Sequence, residues 1–107
     1  MKQIRVRESD LPALDVTVSD LWRDSTLSLI GPEEQSQEDQ GNTNASAVRR
    51  VAKELALPET ATLEQVLAEL EKRGCRELIF TYDSGETNTF YLTPLQLDRY
   101  PALDAFY

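Results

Sequence analysis

Cys75 is the single thiol of the chain, and Arg73 and Arg76 flank it. Cations beside a thiol lower its pKa toward the reactive thiolate. The chain has no histidine, so the usual base for such a nucleophile is missing. The same absence excludes Ser-His-Asp triads, His-ligated zinc and histidine pH switching. One cysteine forms no intramolecular disulfide and no Cys-rich metal site. Glu33-Glu34 and Glu38-Asp39 offer carboxylate oxygens to a divalent cation, but without the register of a calcium loop. Glycine-rich phosphate loops and the nucleophile-elbow pattern are absent. No cofactor or metal is expected, and the chain reads as a non-enzyme. An enzyme using carboxylates or Cys75 stands as an alternative.

The elements that would carry these residues follow from periodicity. Ile4 and Val6 alternate with Gln3, Arg5 and Arg7, which predicts a half-buried strand and no signal peptide. The alternation of Leu14, Val16 and Val18 predicts a second strand, and that of Leu27 and Leu29 a third, ended by Gly31-Pro32. Trp22 lies between them and is expected to plug one end of the core. Val48, Val51, Ala52 and Leu55 recur at helical spacing, with Asn44 or Ser46 as cap and Pro58 as stop. Leu63, Val66, Leu67 and Leu70 repeat the pattern, with Thr62 and Gln65 as a capping box. Two β-rich runs, 77–82 and 87–92, join through a turn at Gly85. Thr93-Pro94 then opens a short helical segment. The expected fold is α+β: an antiparallel sheet in the order β-β-β-α-α-β-β plus a short C-terminal helix, with two helices on one face. One domain is expected over 1–107, with a mobile acidic loop at 31–45 that holds no large apolar side chain.

The chain of 107 residues carries 11 basic and 19 acidic groups, a net charge of −8. Residues 31–45 hold Glu33, Glu34, Glu38 and Asp39 with no basic residue, and residues 77–107 set Arg99 against five carboxylates. Such a chain is repelled on average by nucleic acid and by anionic membranes. Neither is expected as a partner, and a cytoplasmic location is. Carboxylates steer encounter with basic proteins, and tyrosine is common at binding hot spots. These features point to a small non-catalytic protein-interaction module, such as an inhibitor, immunity-type protein or regulator, acting on a basic protein surface. The residues expected to meet that partner are Glu33, Glu34, Glu38 and Asp39 in the loop. Asp98, Tyr100, Asp104, Phe106 and Tyr107 near the C-terminus join them.

Residues 46–93, with two amphipathic helices before a hairpin ending in Leu92-Thr93-Pro94, resemble the winged-helix regulators. That resemblance implies nucleic-acid binding, for which Arg49, Arg50 and Lys53 are the available cations. The segment matching the recognition helix departs from the pattern: it carries Glu64, Glu69 and Glu71, which repel phosphate. Lys53–Glu59 is similar to seven residues of the barstar family of acidic ribonuclease inhibitors. The aromatic and glycine residues that follow in that family are absent after Glu59.

Overall fold

The computed structural model describes residues 1–31 and 42–105. Strand β1 (Gln3–Arg7) is followed by a single 3-10 turn, Glu8–Asp10, and two short helices, α1 (Leu11–Leu14) and α2 (Val18–Asp24). Strand β2 (Leu27–Ile30) precedes the longer helices α3 (Asn42–Glu54) and α4 (Leu63–Lys72). The hairpin of β3 (Arg76–Thr81) and β4 (Thr87–Leu92) leads into α5 (Pro94–Leu97) and α6 (Pro101–Ala105). The class is α+β, as the sequence implies.

The four strands form one sheet in the order β1-β3-β4-β2. The pairs β3–β4 and β2–β4 are antiparallel, with Leu78 opposite Phe90 and Leu27 opposite Tyr91. The β1–β3 pair is parallel, Ile4 against Leu78 and Val6 against Phe80. The sheet is therefore mixed, where an antiparallel one was expected.

The second expected strand, 14–18, is also corrected. Leu11–Leu14 is helical with Pro12 in its first turn, and Asp15 at φ 55° ends it in the left-handed region. Thr17 and Asp20 then form a capping box that starts α2. Leu14, Val16 and Val18 alternate, but Thr17 and Asp20, three apart, are a helix-start signal that outweighs so short a run. Apolar burial is satisfied either way: Leu11, Leu14, Val16 and Leu21 are all buried.

Period-2 alternation sorts the sheet into two faces. On one, Ile4, Val6, Leu78, Phe80, Phe90 and Leu92 pack with Leu11, Leu14, Leu21, Leu97 and Leu103 from the short helices. On the other, Leu27, Leu29 and Tyr91 pack under Val48, Val51 and Ala52 of α3 and Val66 and Leu70 of α4. The two longer helices thus share one face, as expected, while the short helices cover the other.

Helix α3 starts at Asn42, inside the expected loop. Residues 32–41 of that loop lie outside the described residues. Asn44 is not a cap. It is buried, its Oδ1 accepts from the Ile30 N–H at 2.8 Å and its Nδ2 donates to the Ile30 carbonyl at 2.9 Å. The side-chain amide thereby pairs with the outer edge of β2. The Thr62–Gln65 box stands as expected, with Gln65 N–H to Thr62 Oγ1 at 3.3 Å and Thr62 N–H to Gln65 Oε1 at 2.9 Å. Gly85, at φ 93°, turns the hairpin.

Leu70 is fully buried, whereas Leu55 and Leu67, which belong to the two apolar helical patterns and so point to the core by spacing, are half-buried at its margin. Leu70→Ala should cost about 2–5 kcal/mol, the range for buried leucines. Leu67→Ala should cost clearly less. Urea denaturation of the two variants beside the parent chain checks the order, and equal losses would place Leu67 in the core after all.

Candidate functional site

The exposed large apolar side chains among the described residues are Trp22, Ile30 and Leu95, at 39%, 51% and 73% exposure. Two of them share a sheet face. Trp22 projects from α2 and meets Phe90 of β4 edge-on, ring centroids 5.1 Å apart and planes at 86°. Phe90 pairs with Ser28, two residues along β2 from Ile30. Alternation puts Ser28 and Ile30 on the Phe90 face, since Leu27 and Leu29 are buried on the opposite one. The β2 side of this face is therefore less covered than the β1 side. Trp22 covers the core only in part, where a plug was expected: it packs against Phe90 and leaves 39% of its surface exposed.

The helix that holds Trp22 is tightly fixed. Asp20 accepts from the Thr17 N–H at 3.0 Å and from Arg23 Nη2 at 2.7 Å. Asp24 receives Arg23 Nε at 3.0 Å, and Arg99 Nη1 lies 3.8 Å from it. The Tyr100 hydroxyl also donates to Asp24. These contacts tie the C-terminal segment to α2 two residues beyond Trp22.

Their electrostatic effects agree. Hydrogen bonds from Arg23 and Tyr100 hold the Asp24 carboxyl below the usual range against the opposing effect of its desolvation. Desolvation and the Asp24 contact push the Tyr100 hydroxyl up. Bonds from Thr17 lower Asp20.

The expected contact residues are dispersed in what they can be assigned. Tyr100 is half-buried and holds Asp24, which gives it a positioning job beside α2. Asp98 is exposed at the end of α5. Asp104 lies in α6. Glu33, Glu34, Glu38, Asp39, Phe106 and Tyr107 lie outside the described residues. Sequence reasoning placed Trp22 in the core because aromatics are most often buried. The signal that could have found it is its helix: on α2, Leu21 is the buried residue, and its neighbour Trp22 points elsewhere.

Arg49, Arg50 and Lys53 are exposed on α3. The hairpin that would be the wing forms the two interior strands of the sheet, and its turn carries Asp83 and Glu86, both exposed. The exposed side of α4 carries Glu64 and Glu71. The surface near the three cations is thus mixed in charge.

Cys75 is buried in the core beneath α3 and α4. Burial pushes its thiol up and outweighs the opposing pull of Arg73. A thiol held in that form is a poor nucleophile. Glu77 is also buried, and both its oxygens are used: Oε2 accepts from the Tyr91 hydroxyl at 2.9 Å and Oε1 from Gln3 Nε2 at 2.6 Å. A cleft of about 570 Å³ runs between α3 and the start of α4, lined by Ala45, Val48, Arg49, Glu59, Leu63 and Glu64 among others. Thr62 brings a hydroxyl to this lining, and its Oγ1 accepts from the Gln65 N–H as the cap of α4. Among the described residues, no three metal-ligating side chains come together, and no helix is long and apolar enough to cross a membrane.

Comparison with known protein families, with curated proteins and with solved structures finds no match.

The Asp24 cluster makes stability pH-dependent at both ends. A lowered Asp24 stabilises the fold above the ordinary carboxyl value of 3.8, and that contribution is lost as pH falls through the folded-state value. A raised Tyr100 contributes below its ordinary value of 10.0, and that contribution is lost as pH rises through the folded-state value. Melting temperatures of the parent chain should therefore fall below about pH 4 more steeply than those of Asp24→Asn. Tyr100→Phe should lessen the alkaline decline. Parallel curves for parent and Asp24→Asn in acid would show that the cluster contributes nothing to folding.

Proposed function

We propose that the chain is a small, non-catalytic, cytoplasmic protein-interaction module that meets a basic partner surface. The observation that carries this reading is Trp22: a large aromatic side chain, backed by Phe90 and more than a third exposed. Aromatic anchors fixed by packing lose little entropy on binding and dominate interface energies, and a polar surround excludes water from them. Asp20 and Arg23, one turn of helix apart on α2, supply polar groups near it. Ile30, exposed on the same sheet face at the β2 edge, offers a second apolar side chain.

The excess of carboxylates supports the choice of a basic partner. A net charge of −8 on 107 residues raises the encounter rate with a positive surface and slows that with a negative one. Steering of this kind needs no carboxylate in the contact itself. The acid of the 31–45 segment and of the C-terminal third can act at a distance, while Trp22 and Ile30 hold the complex. An inhibitor, an immunity-type protein or a regulator of a basic protein would use such a division of labour.

Capture from the source cells with the parent chain and with Trp22→Ala as baits, followed by rate measurements on the shared partner, tests this. Trp22→Ala should speed dissociation by about tenfold or more, as truncating a hot-spot aromatic does. Reversing Glu33, Glu34, Glu38 and Asp39 to Lys, or Asp98 and Asp104 to Lys, should slow association and flatten its salt dependence. Binding that ignores both the Trp22 change and salt would overturn the proposal.

A further inference from the structure

Among the described residues, β1 is an edge strand with no strand paired on its outer side. In the parallel β1–β3 ladder the Lys2 carbonyl accepts from the Glu77 N–H at 3.0 Å. Bonding residues alternate along a parallel strand, so Lys2, Ile4 and Val6 turn their backbone groups toward β3. Gln3, Arg5 and Arg7 turn theirs outward. A second contact agrees with this: the outward Arg7 N–H is met by Asp10 Oδ2 at 2.9 Å. Asp10 thereby ends the free edge at Arg7 and leaves the N–H and C=O groups of Gln3 and Arg5 along it.

The side chains of this edge are cationic. Arg5 and Arg7 are both exposed, on the sheet face that carries Ile79 and Thr81. With Asp10, these residues and Val6 bound a cleft of about 400 Å³. Arg5 donates to the neutral Gln3 Oε1 at 3.2 Å, and among the described residues neither arginine stands within ion-pair distance of a carboxylate. The neighbouring Glu77 is already bonded to Gln3 and Tyr91.

We propose that this edge takes up an extended acidic segment of a partner protein as a fifth strand. The inference goes beyond the reading above and uses a different edge and the opposite face of the sheet. Charge complementarity selects the occupant. A second copy of this chain paired through the same edge about Arg5 would set arginine against arginine, and like charges directly opposite are destabilising. The same charges that bar self-pairing favour a strand with Asp or Glu at alternate positions. Its backbone would exchange hydrogen bonds with Gln3 and Arg5 while its carboxylates faced Arg5 and Arg7. Between them, apolar residues would continue the face of Ile4 and Val6.

The probe is a blocked, fluorescein-labelled peptide alternating Val and Glu. Its control has the same composition with all Glu residues at one end. Anisotropy titrations with the full chain at two ionic strengths should show saturable binding of the alternating peptide, weaker at high salt, and at least about fivefold weaker binding of the control. Arg5→Glu with Arg7→Glu should weaken binding by about tenfold or more, and Arg5→Lys with Arg7→Lys should keep most of it. In amide NMR spectra the Gln3 and Arg5 N–H signals should shift and their exchange slow, with Ser28 on the far edge unmoved. Equal binding of both peptides with unmoved Gln3 and Arg5 amides would overturn strand addition and leave a simple charge contact. Absence of saturable binding would overturn the site altogether. The peptide comparison and the amide signals use the parent chain, so they decide the matter even where the charge-reversed variant fails to fold. Neither readout involves Trp22, so failure here leaves the reading of that surface standing.

Discussion

Everything in the molecule hangs on the β3–β4 hairpin. Its strands are the two interior members of the sheet, and its residues bury side chains on both faces at once. Leu78, Phe80, Phe90 and Leu92 point to one side and Tyr91 to the other. A one-residue slip between β3 and β4 would invert every one of these positions. The register is held by Leu78 opposite Phe90 and by Gly85 in the turn. The edge strands then attach to surfaces the hairpin has already defined, β1 in parallel and β2 antiparallel. A buried polar link spans the same strands: Tyr91 of β4 reaches Glu77 of β3, which receives Gln3 of β1. Satisfied polar groups of this kind fix register where apolar packing alone would tolerate slippage.

Where local chemistry decides the structure, the sequence was legible. Helix α4 with its Thr62 box, the hairpin with Gly85 and the Thr93-Pro94 start stand where residue types place them, while α3 forms on its expected apolar spacing but starts earlier, at Asn42. Glu69 of α4 and Arg73, the residue just past its end, are four apart and close at 3.3 Å. What misled was a short alternation. Leu14, Val16 and Val18 fit a strand, but Pro12, Asp15 and the Thr17–Asp20 box make two short helices and a left-handed turn instead. Three alternating apolar residues carry little information against an explicit capping signal. The parallel pairing of β1 was illegible for another reason: local residue types do not say which strand becomes a neighbour across the 74 positions that separate paired residues such as Gln3 and Glu77. The role of Asn44 was hidden likewise. An asparagine beside a helix start reads as a cap, yet its partner is Ile30, on a different element.

The candidate contact residues divide on the same line. Net acidity is a property of composition and needs no fold. The exposure of Trp22 needs one, because it depends on α2 lying across β4 with Phe90 at the edge of the ring. Tyr100 shows the converse. Its residue type suggested a contact, and the fold gives its hydroxyl to Asp24 and makes it a strut for α2.

The Asn44–Ile30 pair also explains why the sheet is covered unevenly. It locks the start of α3 to the outer edge of β2, the strand with which that helix makes its main contact. The helical layer on that face is thereby drawn toward β2, and Arg5 and Arg7 on β1 stay exposed. On the other face the short helices pack with Ile4, Val6, Leu78, Phe80, Phe90 and Leu92 of β1, β3 and β4, while the β2 side shows Trp22 and Ile30. The two open corners lie diagonally across the sheet and differ in chemistry. One offers backbone groups framed by cations; the other offers apolar surface. Exposed backbone selects a partner that is itself extended, and the flanking arginines restrict it to acid. Apolar surface selects by shape and leaves charge to act from afar. A partner suited to one corner is therefore a poor fit for the other, and the two proposed contacts, being on opposite faces and edges, would not compete.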